Sequence, residues 1–208
     1  MKKNVCEIDI VYLSFDEPRR EEFWSNLFHL APWSKRVHGV KGFDAAHKQC
    51  ALVSKTDRVI TVDGDNLVDP KFFKLNIPVD RKYDNTVFSW SAVNIVNGLE
   101  YGNGGLKCWP KNVLMNMQTH EATDDDVKAV DFCWELNYKQ VKGSYSTIYP
   151  NGSPYQAFRA GYREGVKMSL DRGKKVTPDE FTKAIWIDNI RKLQIWCSVG
   201  TLNPSYMH

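Results

Sequence analysis

The sequence predicts an α/β domain with parallel strands joined by crossover helices. Two observations carry that prediction. From residue 8 to residue 63, short runs of β-branched and aromatic residues alternate with stretches of helical spacing, the pattern of strand–helix–strand–helix–strand units. The chain has 208 residues, with 42% hydrophobic and 25% charged side chains, the size and balance of one domain with a proper core.

Each element has its own justification. IDIVYLSF, residues 8 to 15, has the composition of a buried strand. DEPRREEFWSNLF follows, with early acids, Pro18 near the start, and Phe23, Trp24, Leu27 and Phe28 at helical spacing. Val37 to Val40 is a short second strand bounded by Gly39 and Gly42. FDAAHKQCALVSKTD is an Ala-rich helix whose Ala46, Cys50 and Val53 share a face, and RVITVD is the next strand. Further on, NTVFSWSAVNIV has strand composition, GLEYGNGGLKCWPKNVL gathers four glycines among aromatics, and SYSTIYPNGSPYQ reads as a polar, turn-rich loop. FRAGYREGVKMSLDRG is helical, and TPDEFTKAIWIDNIRKLQIWCSVG is a last helix opened by a capping threonine, a proline and two acids. No repeat or long linker divides the chain.

Composition excludes some functions. A net charge of +3 gives no field strong enough to demand a polyanionic partner. The five cysteines form no CxxC pair, which argues against a structural zinc site. MKKNVCEIDIVYLSF is interrupted by Glu7 and Asp9 and reads as a first strand rather than a signal peptide, and no stretch approaches membrane-spanning length. A cytoplasmic protein with reduced thiols is the expectation.

The chemistry concentrates in VITVDGDN. Asp63 and Asp65 leave the end of a hydrophobic strand with only Gly64 between them. If the chain stays extended they share a side, and ligands of open α/β sheets bind beyond the carboxyl ends of strands. Two hard oxygen donors there suit Mg²⁺ or Mn²⁺. The plain alternative is a solvated Asp-Gly-Asp-Asn turn. A second constellation is YGNGGLKCW: Gly102, Gly104 and Gly105 allow close backbone approach, Lys107 could meet a phosphate, and Trp109 is better read as a core anchor. Asp131, an acid on the apolar segment AVDFCWE, is the first choice for a catalytic base, ahead of the run Asp124 to Asp126. The basic residues Arg159, Arg163, Lys167, Arg172, Lys174 and Lys175 read as a solvated face and loop.

Strand–DxD, preceded by a helix carrying AAHKQC and by two strand–helix units, resembles the nucleotide-diphospho-sugar transferase (GT-A) family. The likeness runs from about Val5 to Lys111, and VHGVKGFDAAHKQCALVSKTDRVITVDGDN is similar to small transferase domains of tailed bacteriophages. The resemblance implies a Rossmann-like mixed, mostly parallel sheet flanked by helices. It also implies a single glycosyltransferase-like domain, with a donor-binding half over about residues 1–75 and an acceptor half over 76–208. By the same resemblance, Asp65 coordinates Mn²⁺ or Mg²⁺ on the donor diphosphate, Asp63 lies near the ribose or a metal-bound water, and Ser14 and Phe15 approach the base. Gly104, Gly105 and Lys107 line the pocket, and a histidine from the second half, with His120 taken ahead of the terminal His208, completes the metal shell; His29, His38 and His47 lie too early for that. The partners implied are a nucleotide-sugar donor and an acceptor with hydroxymethylated phage DNA among the candidates; no membrane is expected, and a homo-oligomer could supply acceptor recognition. In a phage, the location would be the host cytoplasm. Two other functions fit the same motif: a phosphatase of the haloacid dehalogenase type, whose nucleophile is also a strand-end Asp, and a non-catalytic nucleotide-binding relative.

Overall fold

A computed structural model describes residues 1–102, 104–119 and 136–168. Strand β1 (Lys2–Asn4) leads into β2 (Asp9–Ser14), helix α1 (Arg20–Leu30), β3 (Lys35–His38), helix α2 (Phe43–Val53) and β4 (Arg58–Asp63). Then come β5 (Asn66–Val68), β6 (Asn76–Pro78), β7 (Thr86–Asn94), β8 (Glu100–Tyr101), β9 (Leu106–Pro110), α3 (Lys111–Met115), β10 (Asn137–Ile148) and α4 (Pro154–Met168). Strands β1 and β6 pair on their own; the main sheet runs β3-β2-β4-β9-β7-β10-β5, with β8 beside β7. Strands β2, β3, β4, β7 and β10 point one way, and β5, β8 and β9 point the other. This is the expected α/β class, a Rossmann-like mixed and mostly parallel sheet flanked by helices.

Strand alternation builds two cores. Ile10 and Tyr12 of β2, Ile60 and Val62 of β4, Phe88 and Trp90 of β7, and Leu106 and Cys108 of β9 face α1, where Phe23 and Leu27 close the cluster. Val11, Val59, Val87 and Trp109 face the opposite way, against Cys50 and Ala51 of α2 and Leu114 of α3. Each fully buried Val, Leu, Ile or Phe among them contributes about 1.5–3 kcal/mol of hydrophobic stabilisation. The two helices lie on opposite faces because the chain reverses its direction of winding: β3 is laid on one side of β2 and β4 on the other. Gly42 opens α2 at φ 89°, a conformation that suits a residue without Cβ. Asp9 ties the base of the sheet together, accepting from Lys35 Nζ (2.8 Å), from Thr56 N (3.2 Å) and from Lys55 N.

The segment SYSTIYPNGSPYQ departs from its reading as a loop. Ser144 to Ile148 complete the 12-residue strand β10, which pairs with β7 on one side and β5 on the other. Its polar composition reflects half-buried side chains, and Gly143 at φ 100° accompanies a register shift between Val141 and Ser144. Among the described residues, Cys6, Cys50 and Cys108 are free thiols, and no helix is long and apolar enough to cross a membrane.

Candidate active site at the sheet's switch point

The strand order creates the kind of switch point at which ligands of α/β sheets bind. The direction of winding reverses between β2 and β4, neighbouring parallel strands with Leu13 opposite Asp63, and their carboxyl ends define a topological switch point. Ser14, Phe15 and Glu17 leave β2 there, and Asp63, Gly64 and Asp65 leave β4. The two aspartates do not continue an extended strand: the chain turns at Gly64 and Asp65 before β5 begins.

That turn is held from three directions. Tyr12 Oη, rising from the α1 face of β2, donates to Gly64 O at 2.8 Å. Gly105 O accepts from Asp63 N at 3.0 Å, and Asp65 O accepts from Tyr149 N at 2.9 Å. Asn66 is buried; its Nδ2 donates to Asp65 Oδ1 at 2.8 Å, and its Oδ1 accepts from Ser146 Oγ at 2.9 Å. Asn66 thus fastens the acidic turn to β10. A Cβ on Gly105 would run into the Asn66 amide, and one on Gly104 would lie 2.7 Å from Ala92 Cβ. Both glycines are therefore already required by packing within the fold.

Three carboxylates converge at the turn. Glu17, read from sequence only as an early helix acid, accepts from Phe15 N at 2.7 Å. A Cβ on Gly64 would come within 2.5 Å of its Oε2, so Glu17 lies directly over the glycine. Burial, then the Asp63 and Glu17 charges, push the Asp65 carboxyl up to about 7, against the opposing pull of Asn66. Lys107 provides the counter-charge on the α2 face. Its ammonium lies 3.5 Å from Asp63 Oδ2 and 3.2 Å from Gly104 O. The Lys107 side chain is 8% exposed and that of Asp63 is 38% exposed. Lys107 is thus a buried charge rather than a solvated one.

Of the other expected site residues, Ser14 is buried and engaged by β3, with His38 Nδ1 at 3.0 Å and Arg36 Nε at 3.3 Å. Phe15 is 43% exposed just past the end of β2 rather than packed in the core. Trp109 is a core anchor, fully buried, with Nε1 donating to Thr61 Oγ1 at 2.8 Å. Asp131 and His120 lie outside the described residues. His47, set aside for its early position, is buried in α2 with its Nδ1–H directed to Phe43 O at 2.9 Å. Burial lowers its pKa, and the Asp63 charge partly opposes that. A neutral ring therefore sits in the electrostatic range of the acidic turn. The signal for Glu17 was available, since it follows β2 closely; the pairing of Lys107 with Asp63 required the sheet register.

Among the described residues, no group of three or more His, Cys, Asp or Glu side chains is assembled to hold a metal ion. The donor set nonetheless fits Mg²⁺ or Mn²⁺, hard cations commonly bound through one or two carboxylates, with waters and substrate phosphates completing the shell. Asp63 and Asp65 would be those carboxylates.

No family model matches the chain, and no curated protein sequence matches it. Solved structures do. A glycosyltransferase involved in glycosylation of the major capsid of the virus PBCV-1 is 14% identical, with 76% of this chain and 100% of that chain covered and a TM-score of 0.40. HddC from Yersinia pseudotuberculosis is 15% identical over 75% of this chain and 77% of that one, TM-score 0.37. The glycosyltransferase GlyE of Streptococcus pneumoniae is 12% identical over 94% and 61%, TM-score 0.34.

Proposed function

We propose that the protein is a metal-dependent glycosyltransferase that moves a sugar from a nucleoside-diphosphate donor to an acceptor hydroxyl. The observation that carries this reading is the placement of Asp63 and Asp65 at the β2/β4 switch point, beside the end of β2. A carboxylate pair crowded by a third acid is a poor structural device, because it stores repulsion that a cation would relieve. Bound there, Mn²⁺ or Mg²⁺ would neutralise charge gathering on the departing nucleoside diphosphate.

The chain's own residues supply the rest. Asp63 and Asp65 hold the cation, and Asn66, Tyr12 and Tyr149 fix the turn that presents them. Lys107 adds a positive charge for the donor's phosphates. Ser14 and Phe15 border the base, with the exposed Phe15 ring available for stacking. Asp131 is proposed as the base toward the acceptor and His120 as a further metal ligand. Hydroxymethylated DNA is one acceptor class to test, beside glycans.

The test is a panel of nucleotide sugars, with Mn²⁺ present or absent, read by thermal stabilisation and by product release. A donor at a hundredfold excess over its dissociation constant should add about 2.7 kcal/mol to stability, only with the cation. Asp65→Asn should remove that gain. Release of nucleoside diphosphate supports sugar transfer, whereas inorganic phosphate from small phosphoesters would establish the phosphatase instead. Binding without turnover would make the protein a nucleotide-binding relative.

A further inference from the structure

We infer that Lys107 is an exchangeable counter-ion: it occupies Asp63 while the cation is absent and turns to the donor's diphosphate when both are bound. The inference rests on the cation reading proposed above and adds a coupling to it. Lys107 reaches the turn from β9, the antiparallel neighbour of β4, where it stands opposite Thr61. Its side chain is nearly closed off from water, and its ammonium contacts Asp63 Oδ2 at 3.5 Å, longer than the 2.7–3.2 Å of a well-formed N–H···O bond. The partner carboxylate remains 38% exposed, open on its other side. This is a loose ion pair in a tight place. A buried ammonium is costly without an anion nearby, and Asp63 and the Gly104 carbonyl are among the groups that hold the lysine at the turn.

A divalent ion on Asp63 would stand beside that fixed charge, and like charges so close repel. Cation binding alone is therefore opposed by Lys107. A diphosphate reverses the sign, because its oxygens accept from the ammonium while also completing the cation's shell. Cation and diphosphate consequently favour each other through Lys107, and such coupling is reciprocal by linkage. The donor would be bound as its metal complex in preference to either component.

The experiment compares wild type with Lys107→Met, which keeps the stem and removes the charge, and with Lys107→Arg, which keeps the charge. Mn²⁺ alone is titrated by loss of the free-ion electron paramagnetic resonance signal, and the preformed Mn²⁺–pyrophosphate complex by calorimetry. The expected result is a crossing: Lys107→Met binds Mn²⁺ alone about tenfold more tightly and Mn²⁺–pyrophosphate about tenfold more weakly. Lys107→Arg should shift neither in the direction of Lys107→Met. A purely structural lysine would move both affinities the same way, and that outcome, or no change in either, overturns the inference while leaving the cation site standing. Wild type that takes up neither Mn²⁺ nor its pyrophosphate complex removes the site and the inference together. Circular dichroism of each variant shows that the fold is retained; if Lys107→Met does not fold, Lys107→Gln takes its place in the same pair of titrations.

Discussion

At the scale of single residues, the acidic turn is defined by what surrounds two small positions. Gly64 leaves room for the Glu17 carboxylate, and Gly104 lies against Ala92 and the backbone of Trp90. These contacts differ in how readily they yield. The end of Glu17 can swing away at the cost of its bond to Phe15 N, about 1 kcal/mol. A strand backbone cannot, so Gly104→Ala should cost about 1–3 kcal/mol as overpacking. Thermal denaturation should therefore rank Gly104→Ala as worse than Gly64→Ala. The penalty of Gly64→Ala should also largely vanish in a Glu17→Ala background, a coupling that a double-mutant cycle isolates. Equal penalties in both backgrounds would show that Glu17 is not the obstacle. The chemistry of Asp63 and Asp65 was legible in the sequence because a strand end and two acids are adjacent in the chain. Lys107 was legible only as a basic residue near glycines: its partner lies 44 positions away, and the β4–β9 register that joins them has no local sequence signal.

Among the elements, β2 is fixed at its start by an ion pair and at its end by the site. Burial opposes ionisation of Asp9, but hydrogen bonds from Lys35, Lys55 and Thr56 outweigh it and hold the carboxyl below its ordinary range. A depressed carboxylate contributes stability above its unfolded pKa of about 3.9 and loses that contribution as pH falls through the folded value. In urea titrations, the stability gap between wild type and Asp9→Asn should be widest above about pH 4 and close as the solution is acidified further. A gap that does not depend on pH would assign the effect to packing. Strands β2, β4 and β7 were legible because dense β-branched and aromatic runs mark strands buried on both faces. Strand β10 was not, since most of its side chains are exposed or half-buried on both faces and a positive-φ glycine interrupts it. The three-residue strands β1, β5 and β6 are too short to carry a period.

For the whole molecule, local and distant sequence contribute differently. The winding from β2 to β4, and with it the switch point, follows from strand–helix alternation that is readable along the first third of the chain. The remainder of the sheet is assembled by long-range pairing: β9 inserts antiparallel beside β4, β7 joins it, and β10 runs parallel to β7 before reaching β5. Strand β5 follows the acidic turn directly, yet all its sheet bonds are to residues 146–148. Asn66 and Asp65 are likewise fastened to Ser146 and Tyr149. A polypeptide comprising residues 1–75 alone would accordingly keep both aspartates but present β4 and β5 with open edges, inviting self-association. Such a fragment should elute as aggregate in size-exclusion chromatography and show no Mn²⁺ uptake. Monomeric, cation-binding behaviour would mean that the motif organises itself. The acidic turn is in this sense a keystone, set early in synthesis and locked only when β10 arrives.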